Sequence, residues 1–166
     1  MSMDNGGDLW AISGQDEYDL RCASERQRRD KDFVLEVVRR HGRDLKYASK
    51  DLRGDREVVL EAVKQNGWAL RYASEDLRGS KEVVVEAVKQ NGMSLENASD
   101  DLREDKEVVL TAIENNRAAI SCAPRSIHNL IDDLADSVDD GSTPMERLRR
   151  YISISNRRKS VRKAAC

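Results

Sequence analysis

Catalysis or metal binding would need a nucleophile with a base, a ligand cluster or a phosphate cradle. The scarce reactive residues are therefore weighed first. There are two histidines. His41 precedes Gly42 in the position that Asn66, Asn91 and Asn116 fill further on, so it reads as a polar helix-end residue. His128 lies on the polar flank of an apolar stripe and is expected in solvent. Cys22, Cys122 and Cys166 are far apart, with no CxxC, and read as free thiols of a reducing compartment. Asp136, Asp140 and Gly141 fall on the first, fifth and sixth positions of a calcium loop. Val138 and Arg147 stand where further ligands are needed, so a solvated acidic linker is the better reading. No zinc ligand cluster, GxSxG, P-loop or dinucleotide fingerprint occurs. Asn97-Ala98-Ser99 fits a glycosylation sequon, read as chance in a chain without an export signal. The expectation is a protein with no catalytic residue, no cofactor and no metal.

Binding chemistry is better supplied. Tyr18, Arg43, Trp68, Met93 and Ala118 recur at intervals of 25 residues. Cys22, Tyr47, Tyr72, Asn97 and Cys122 follow each by four, one turn away on a helix, so the two columns are expected to adjoin. Trp, Tyr, Met and Arg are enriched where interfaces are tightest. Tyr18, Arg43, Tyr47, Trp68, Tyr72 and Met93 are therefore the candidate partner-binding residues. The competing reading packs Tyr47 and Tyr72 between structural units with their hydroxyls at the rim.

These columns presuppose a repeat, and the sequence shows one. Asp55-Arg56-Glu57-Val58-Val59-Leu60-Glu61-Ala62-Val63 recurs from Asp30, Ser80 and Asp105, always 25 residues apart. Leu20, Leu45, Leu70, Leu95 and Ile120 form a second column. Ala23, Ala48, Ala73, Ala98 and Ala123 form a third, and Leu52, Leu77, Leu102 and Ile127 a fourth. Gln27 stands where the first copy would need Leu. A constant period means a stacked array.

Each unit reads as two helices. The first starts at an N-cap, Asp30, Asp55, Ser80 or Asp105, with an acid two positions on. Val59, Ala62 and Val63 share one face of it. Gly42, Gly67 and Gly92 are expected as left-handed stops just past its end. The shorter second helix carries Leu70 and Ala73, and Ser74 caps a final tight turn holding Leu77. Glu36, Glu61 and Glu86, with Arg53, Arg78 and Arg103, suggest salt-bridge ladders between units. After Pro124 the rhythm breaks. Ile127, Leu130, Ile131, Leu134 and Val138 make the stripe of a capping helix, with Asp132, Asp133 and Asp136 opposite. Thr143-Pro144-Met145-Glu146 is a capping box that starts another helix.

The pattern Asp-x-Glu-Val-Val-Leu-x-Ala-Val-x-x-Asn-Gly-x-x-Leu-x-Tyr-Ala-Ser-x-x-Leu-Arg-x-Asp, clearest in Asp55–Ser80, resembles the family called domain of unknown function 4116. The resemblance covers about residues 18–127. Cys22, Asn97 and Cys122 depart from the aromatic of Tyr47 and Tyr72, and Asn116-Arg117 departs from Asn-Gly. The resemblance implies a helical repeat and carries over no activity, cofactor or catalytic residue.

Composition agrees with an array. Charged residues are 36% of the chain and aromatics only 4%, which suits stacked units with charged outer faces better than one large globular core. No apolar run is long enough to span a membrane, and Met1 to Ile12 lacks an apolar signal core. Residues 145–166 carry eight basic groups and one Glu. Arg147, Arg149, Arg150, Arg157, Arg158, Lys159, Arg162 and Lys163 are thus candidates for polyanion binding by phosphate neutralisation; the competing readings are a merely solubilising tail and contact with an anionic membrane or an acidic protein. Ser160 lies in a basophilic kinase pattern.

The sequence is read as an all-α solenoid of about four 25-residue two-helix repeats with a C-terminal capping helix. An N-terminal segment (1–17, partly disordered) precedes the array (18–124). A capping helix with an acidic linker (125–141) and a basic helix and tail (142–166) follow. The expected function is a monomeric, cytoplasmic scaffold for an unknown protein partner. The alternative is a nucleic-acid- or polyanion-associated protein held by its tail, with the nucleus as its compartment.

Overall fold

A computed structural model describes residues 19–136, 141–143 and 145–154. Tyr18, Pro144, Val138, Ser160, Cys166 and the tail cations Arg157, Arg158, Lys159, Arg162 and Lys163 lie outside these. The described residues form helices and no strand: α1 (Glu25–Arg29), α2 (Lys31–Arg40), α3 (Arg56–Gln65), α4 (Glu75–Arg78), α5 (Lys81–Gln90), α6 (Asp100–Glu104), α7 (Lys106–Asn115) and α8 (Arg125–Asp136). Residues 145–154 form a further helix, α9. Six-residue 3-10 helices span Gly42–Tyr47, Gly67–Tyr72, Gly92–Asn97 and Arg117–Cys122, and a short 3-10 turn spans Leu52–Gly54. The four long helices stack in order, α2 on α3, α3 on α5 and α5 on α7, and the 3-10 helices stack in the same order beside them. The fold is an all-α solenoid with one long-helix layer and one 3-10 layer.

Local chemistry explains each long helix. The side chains of Asp30, Asp55 and Asp105 accept from the backbone N–H of Phe33, of Glu57 and Val58, and of Glu107 and Val108, satisfying donors that the first turn leaves open. Val58, Val59, Ala62 and Val63 are buried, as are their counterparts one unit on, Val83, Val84, Ala87 and Val88. At the other end, Asn66 and Asn91 are extended, with φ −151°. Each side-chain oxygen accepts from the amide two residues on, Trp68 or Met93, at 3.1 Å. That bond ends one helix and starts the next segment.

The stop is therefore not a left-handed glycine. Among the described glycines only Gly141 has positive φ. Gly42, Gly67 and Gly92 are required by close approach. A Cβ on them would lie 2.3, 2.4 and 2.2 Å from the carbonyl oxygens of Ala62, Ala87 and Ala112 on the next long helix. Each glycine also donates its N–H across the junction, to Gln65, Gln90 and Asn115 at 2.7, 2.6 and 2.7 Å. Arg117 holds the same position in the last unit and is exposed. The helix that follows, α8, starts 25 residues after α6 and not in the register of a long helix, and this position is open to solvent.

The second helix of each unit also differs from the expectation. It is a 3-10 helix, and the turn beginning at Ser49, Ser74 or Ser99 is a separate helical piece. With three residues per turn, Gly67, Leu70 and Ala73 fall in one straight stripe, and all three are buried. By the same geometry Trp68 and Tyr72, four apart, point about 120° apart instead of sharing a stripe. The Ser amides tie the units together: Ser49, Ser74 and Ser99 donate to the carbonyls of Arg28, Arg53 and Arg78 at 2.9, 2.9 and 3.0 Å.

Both ends are finished differently from the middle. Gln27 accepts from the Ser24 amide at 2.9 Å in a capping box, so the missing leucine is replaced by a polar start to α1. In α8, Ile127 is buried, Ile131 packs against the core, and Asp132 and Asp133 are exposed. His128 is half-buried, with Nδ1 3.1 Å from the Pro124 carbonyl oxygen, not free in solvent as expected. Thr143 and Glu146 form the capping box of α9: Thr143 donates its amide to Glu146 at 2.7 Å, and Glu146 donates its own to Thr143 Oγ1 at 3.3 Å. Leu148 is 1% exposed. Arg149 pairs with Glu114 at 2.7 Å, and Lys106 donates to the Tyr151 hydroxyl at 3.2 Å. The start of the basic tail is thus a helix docked on α7. No described helix is long and apolar enough to cross a membrane.

Candidate functional site

The two layers differ in how their charges are used. On the long-helix layer four cations reach forward to the next unit. Lys31 meets Asp55 and Glu57, both at 2.9 Å. Arg56 meets Glu82. Lys81 meets Asp105 at 2.9 Å and Glu107 at 2.8 Å, and Arg39 meets Glu61 at 3.1 Å. Burial pushes the Asp55 and Asp105 carboxyls up, but the lysines and the capped amides together hold both below the ordinary range. Lys64 and Arg39 hold Glu61 below it too.

A ladder between units exists, but with other cations than expected. Arg103 donates Nε to the Cys122 carbonyl at 3.2 Å and pairs with Asp100 in its own helix. Arg53 and Arg78 bury Nε atoms that have no partner among the described residues. Glu36 and Glu86 pair within their helices, with Arg40 and Lys89. The column Lys31, Arg56 and Lys81 was the missed signal: a cation just after the N-cap with an acid 26 residues further on, and for Lys31 and Lys81 a second acid 24 further on.

The 3-10 layer is different. Arg43, Lys46 and Arg71 are exposed, and none has a carboxylate partner among the described residues. The Lys46 ammonium lies 4.5 Å from the centroid of the Tyr47 ring, and the Arg71 guanidinium 5.4 Å from that of Tyr72. Tyr47, and less strongly Tyr72, raise the Lys46 pKa, and the two stacked pairs lie on neighbouring 3-10 helices. Tyr47, Tyr72 and Met93 are half-buried and packed on the core. Trp68 is half-buried at the matching position one unit after Arg43. An open groove of about 750 Å³ runs beside Arg43, Lys46 and Tyr47, with Arg21, Cys22 and His41 on its walls. Asp44 also lines it. Burial and the nearby Asp19 push the Asp44 carboxyl up, against the pull of His41, Lys46 and Arg21. Asp44 was not singled out from sequence. Its column, Ala69, Ser94 and Ala119, is fully buried, which marks the position as meant for a small side chain.

The sequence-derived candidates thus divide. Arg43, Tyr47, Trp68, Tyr72 and Met93 all lie on the 3-10 layer, along adjoining units. Of the polyanion candidates, Arg149 is engaged by Glu114 and Arg147 donates to Ser142 at 3.1 Å. Arg150, also on α9, is exposed at its surface. The sequon nitrogen, Asn97 Nδ2, is buried.

A family model described as Domain of unknown function (DUF4116) matches twice, over residues 30–78 and 80–127. The chain belongs to this family. Each match spans two of the 25-residue units, so one DUF4116 module is a pair of stacked units. No curated protein and no solved structure matches the chain. Among the described residues no group of three or more His, Cys, Asp or Glu could hold a metal ion.

Proposed function

We propose that this DUF4116 protein is a non-catalytic repeat scaffold that binds a protein partner on its 3-10 layer. The observation that carries the reading is the contrast between layers. Lys31, Arg39, Arg56 and Lys81 of the long helices pair with acids of the neighbouring unit, while Arg43, Lys46 and Arg71 have no carboxylate partner among the described residues and stand beside half-exposed Tyr47, Trp68 and Tyr72. Aromatic residues and arginines with free donors dominate binding energy at interfaces. The reading assigns no catalytic residue, cofactor or metal.

The test is capture from lysate by the full chain, by Trp68→Ala and by a chain ending at Ile154. Truncation must stop there, because α9 caps the array. The reading expects the same partner with the full and shortened chains and its loss with Trp68→Ala, once thermal melting shows that variant folded. Loss with the shortened chain alone would move the function to the tail and to polyanion binding.

A further inference from the structure

We propose that the partner presents an acidic segment, with its carboxylates on Arg43, Lys46 and Arg71 and an apolar side chain beside them on Trp68 and Met93. This rests on the scaffold reading and adds the chemistry of the partner.

The charge pattern along the array carries the inference. Arg21, Lys46, Arg71 and Glu96 occupy one position in successive units. The first three are cations and the fourth is an acid. Arg43, Trp68, Met93 and Ala118 occupy another, and run from a cation to apolar residues. From the second unit on, the Arg43 column turns apolar and the Lys46 column turns acidic in the same direction along the array; in the first unit Arg21 is paired with Asp19 at 3.7 Å. Glu96 repels a carboxylate placed beside Met93 and fixes where the acidic stretch must end.

Spacing and geometry agree. Arg43 and Lys46 are three apart in a 3-10 helix, so they lie one above the other about 6 Å apart. Alternate residues of an extended chain are about 6.6 Å apart. Lys46 and Arg71 are one unit apart, about 8–10 Å at usual helix packing distances, which an extended chain covers in about three residues. An acid, a spacer, an acid, two spacers and a third acid fit the three cations if the segment turns at Lys46, because the first step runs along one 3-10 helix and the second crosses to the next. The Tyr47 and Tyr72 rings hold the Lys46 and Arg71 heads from one side and leave their donors for charge-assisted bonds to carboxylates. A nucleic acid fits less well, because phosphates recur at every residue and need a continuous cationic track, which Glu96 interrupts.

The test uses the full chain and a fluorescein-labelled peptide, Glu-Ser-Glu-Ser-Ser-Glu-Ser-Leu-Phe, read by anisotropy. Controls are the same peptide with Gln for Glu, and a single-stranded oligothymidylate of similar charge. The expected result is binding of the acidic peptide alone. It should weaken at least about tenfold in Lys46→Glu/Arg71→Glu, because like charges then face each other, and it should weaken with added salt. Both substitutions are at exposed positions, and circular dichroism checks the fold. Equal binding of the Gln peptide, an unchanged affinity in the double variant, or tighter binding of the oligothymidylate would overturn the proposal. If Trp68→Ala abolishes partner capture while the acidic peptide fails to bind, the scaffold reading stands and the acidic partner falls. If neither effect is seen, both fall.

Discussion

Gly67→Ala should open a junction between units. The added Cβ would lie 2.4 Å from the Ala87 carbonyl oxygen, 2.7 Å from Ser94 Oγ and 3.0 Å from Gln90 Oε1. The nearest atom is backbone of α5, so no side-chain rotation relieves the clash. Overpacking of this kind costs about 1–3 kcal/mol. Separating the units also strains the 2.6 Å bond from the Gly67 amide to Gln90, a further 0.5–1.5 kcal/mol or so. The expected loss is about 2–4 kcal/mol, read as a lower midpoint in urea unfolding followed by far-UV circular dichroism. Gly54→Ala is the control. Its Cβ would meet nothing closer than 3.7 Å, and its φ is not positive. That change should be neutral, or stabilising by about 0.4–1 kcal/mol through the unfolded chain. Gly67→Asn separates close approach from backbone conformation. A left-handed stop would tolerate Asn better than Ala, whereas a crowded junction tolerates it worse. A Gly67→Ala protein within about 0.5 kcal/mol of wild type, or an Asn variant more stable than the Ala variant, would refute the reasoning.

Three further outcomes are expected. Asp44→Ala installs the residue found at 69 and 119 and should stabilise by about 0.5–2 kcal/mol at neutral pH. Because burial raises the Asp44 pKa from 3.8, its protonated form suits the fold, and stability is lost as pH rises through the folded pKa. The gain should therefore shrink below about pH 4 in paired melts. Leu148→Ala should cost about 2–5 kcal/mol by urea unfolding, because that side chain is 1% exposed under α9; no loss would detach α9 from the array. The depressed carboxyls of Asp55 and Asp105 contribute stability present above pH 3.8 and lost as pH falls through their lower folded values, while Lys81, raised from 10.5, loses its share as pH rises past that value. Melting midpoints should thus fall in acid, and Lys81→Met should flatten the acid limb while changing neutral stability by no more than about 1 kcal/mol.

Much of the fold was legible because a repeat states each local rule several times. The N-caps, the buried Val and Ala faces and the Leu70 column act within one unit, so they show in sequence. What was misread depends on the neighbouring unit. Gly67 looks like a helix stop until the Ala87 carbonyl arrives above it. The 3-10 form of Gly67–Tyr72 follows from Asn66 at one end, Ala73 at the other and the buried stripe between, and no periodicity in six residues separates it from α. The ladder was legible as charge but not as pairing, since which cation reaches Glu61 or Glu82 depends on the offset between stacked helices. Arg149 looked like a tail cation because its partner, Glu114, is 35 residues away. On the candidate face the residue types were legible, and their split into stacked cations and core-packed rings was not.

The central claim is that the 3-10 layer meets the partner while the long-helix layer holds the array together. A photo-crosslinking residue placed at Met93, or at the exposed Lys89 on α5, tests it within cells. The account predicts an adduct of one partner from Met93 and none from Lys89. Adducts of that partner from Lys89, with none from Met93, would contradict it.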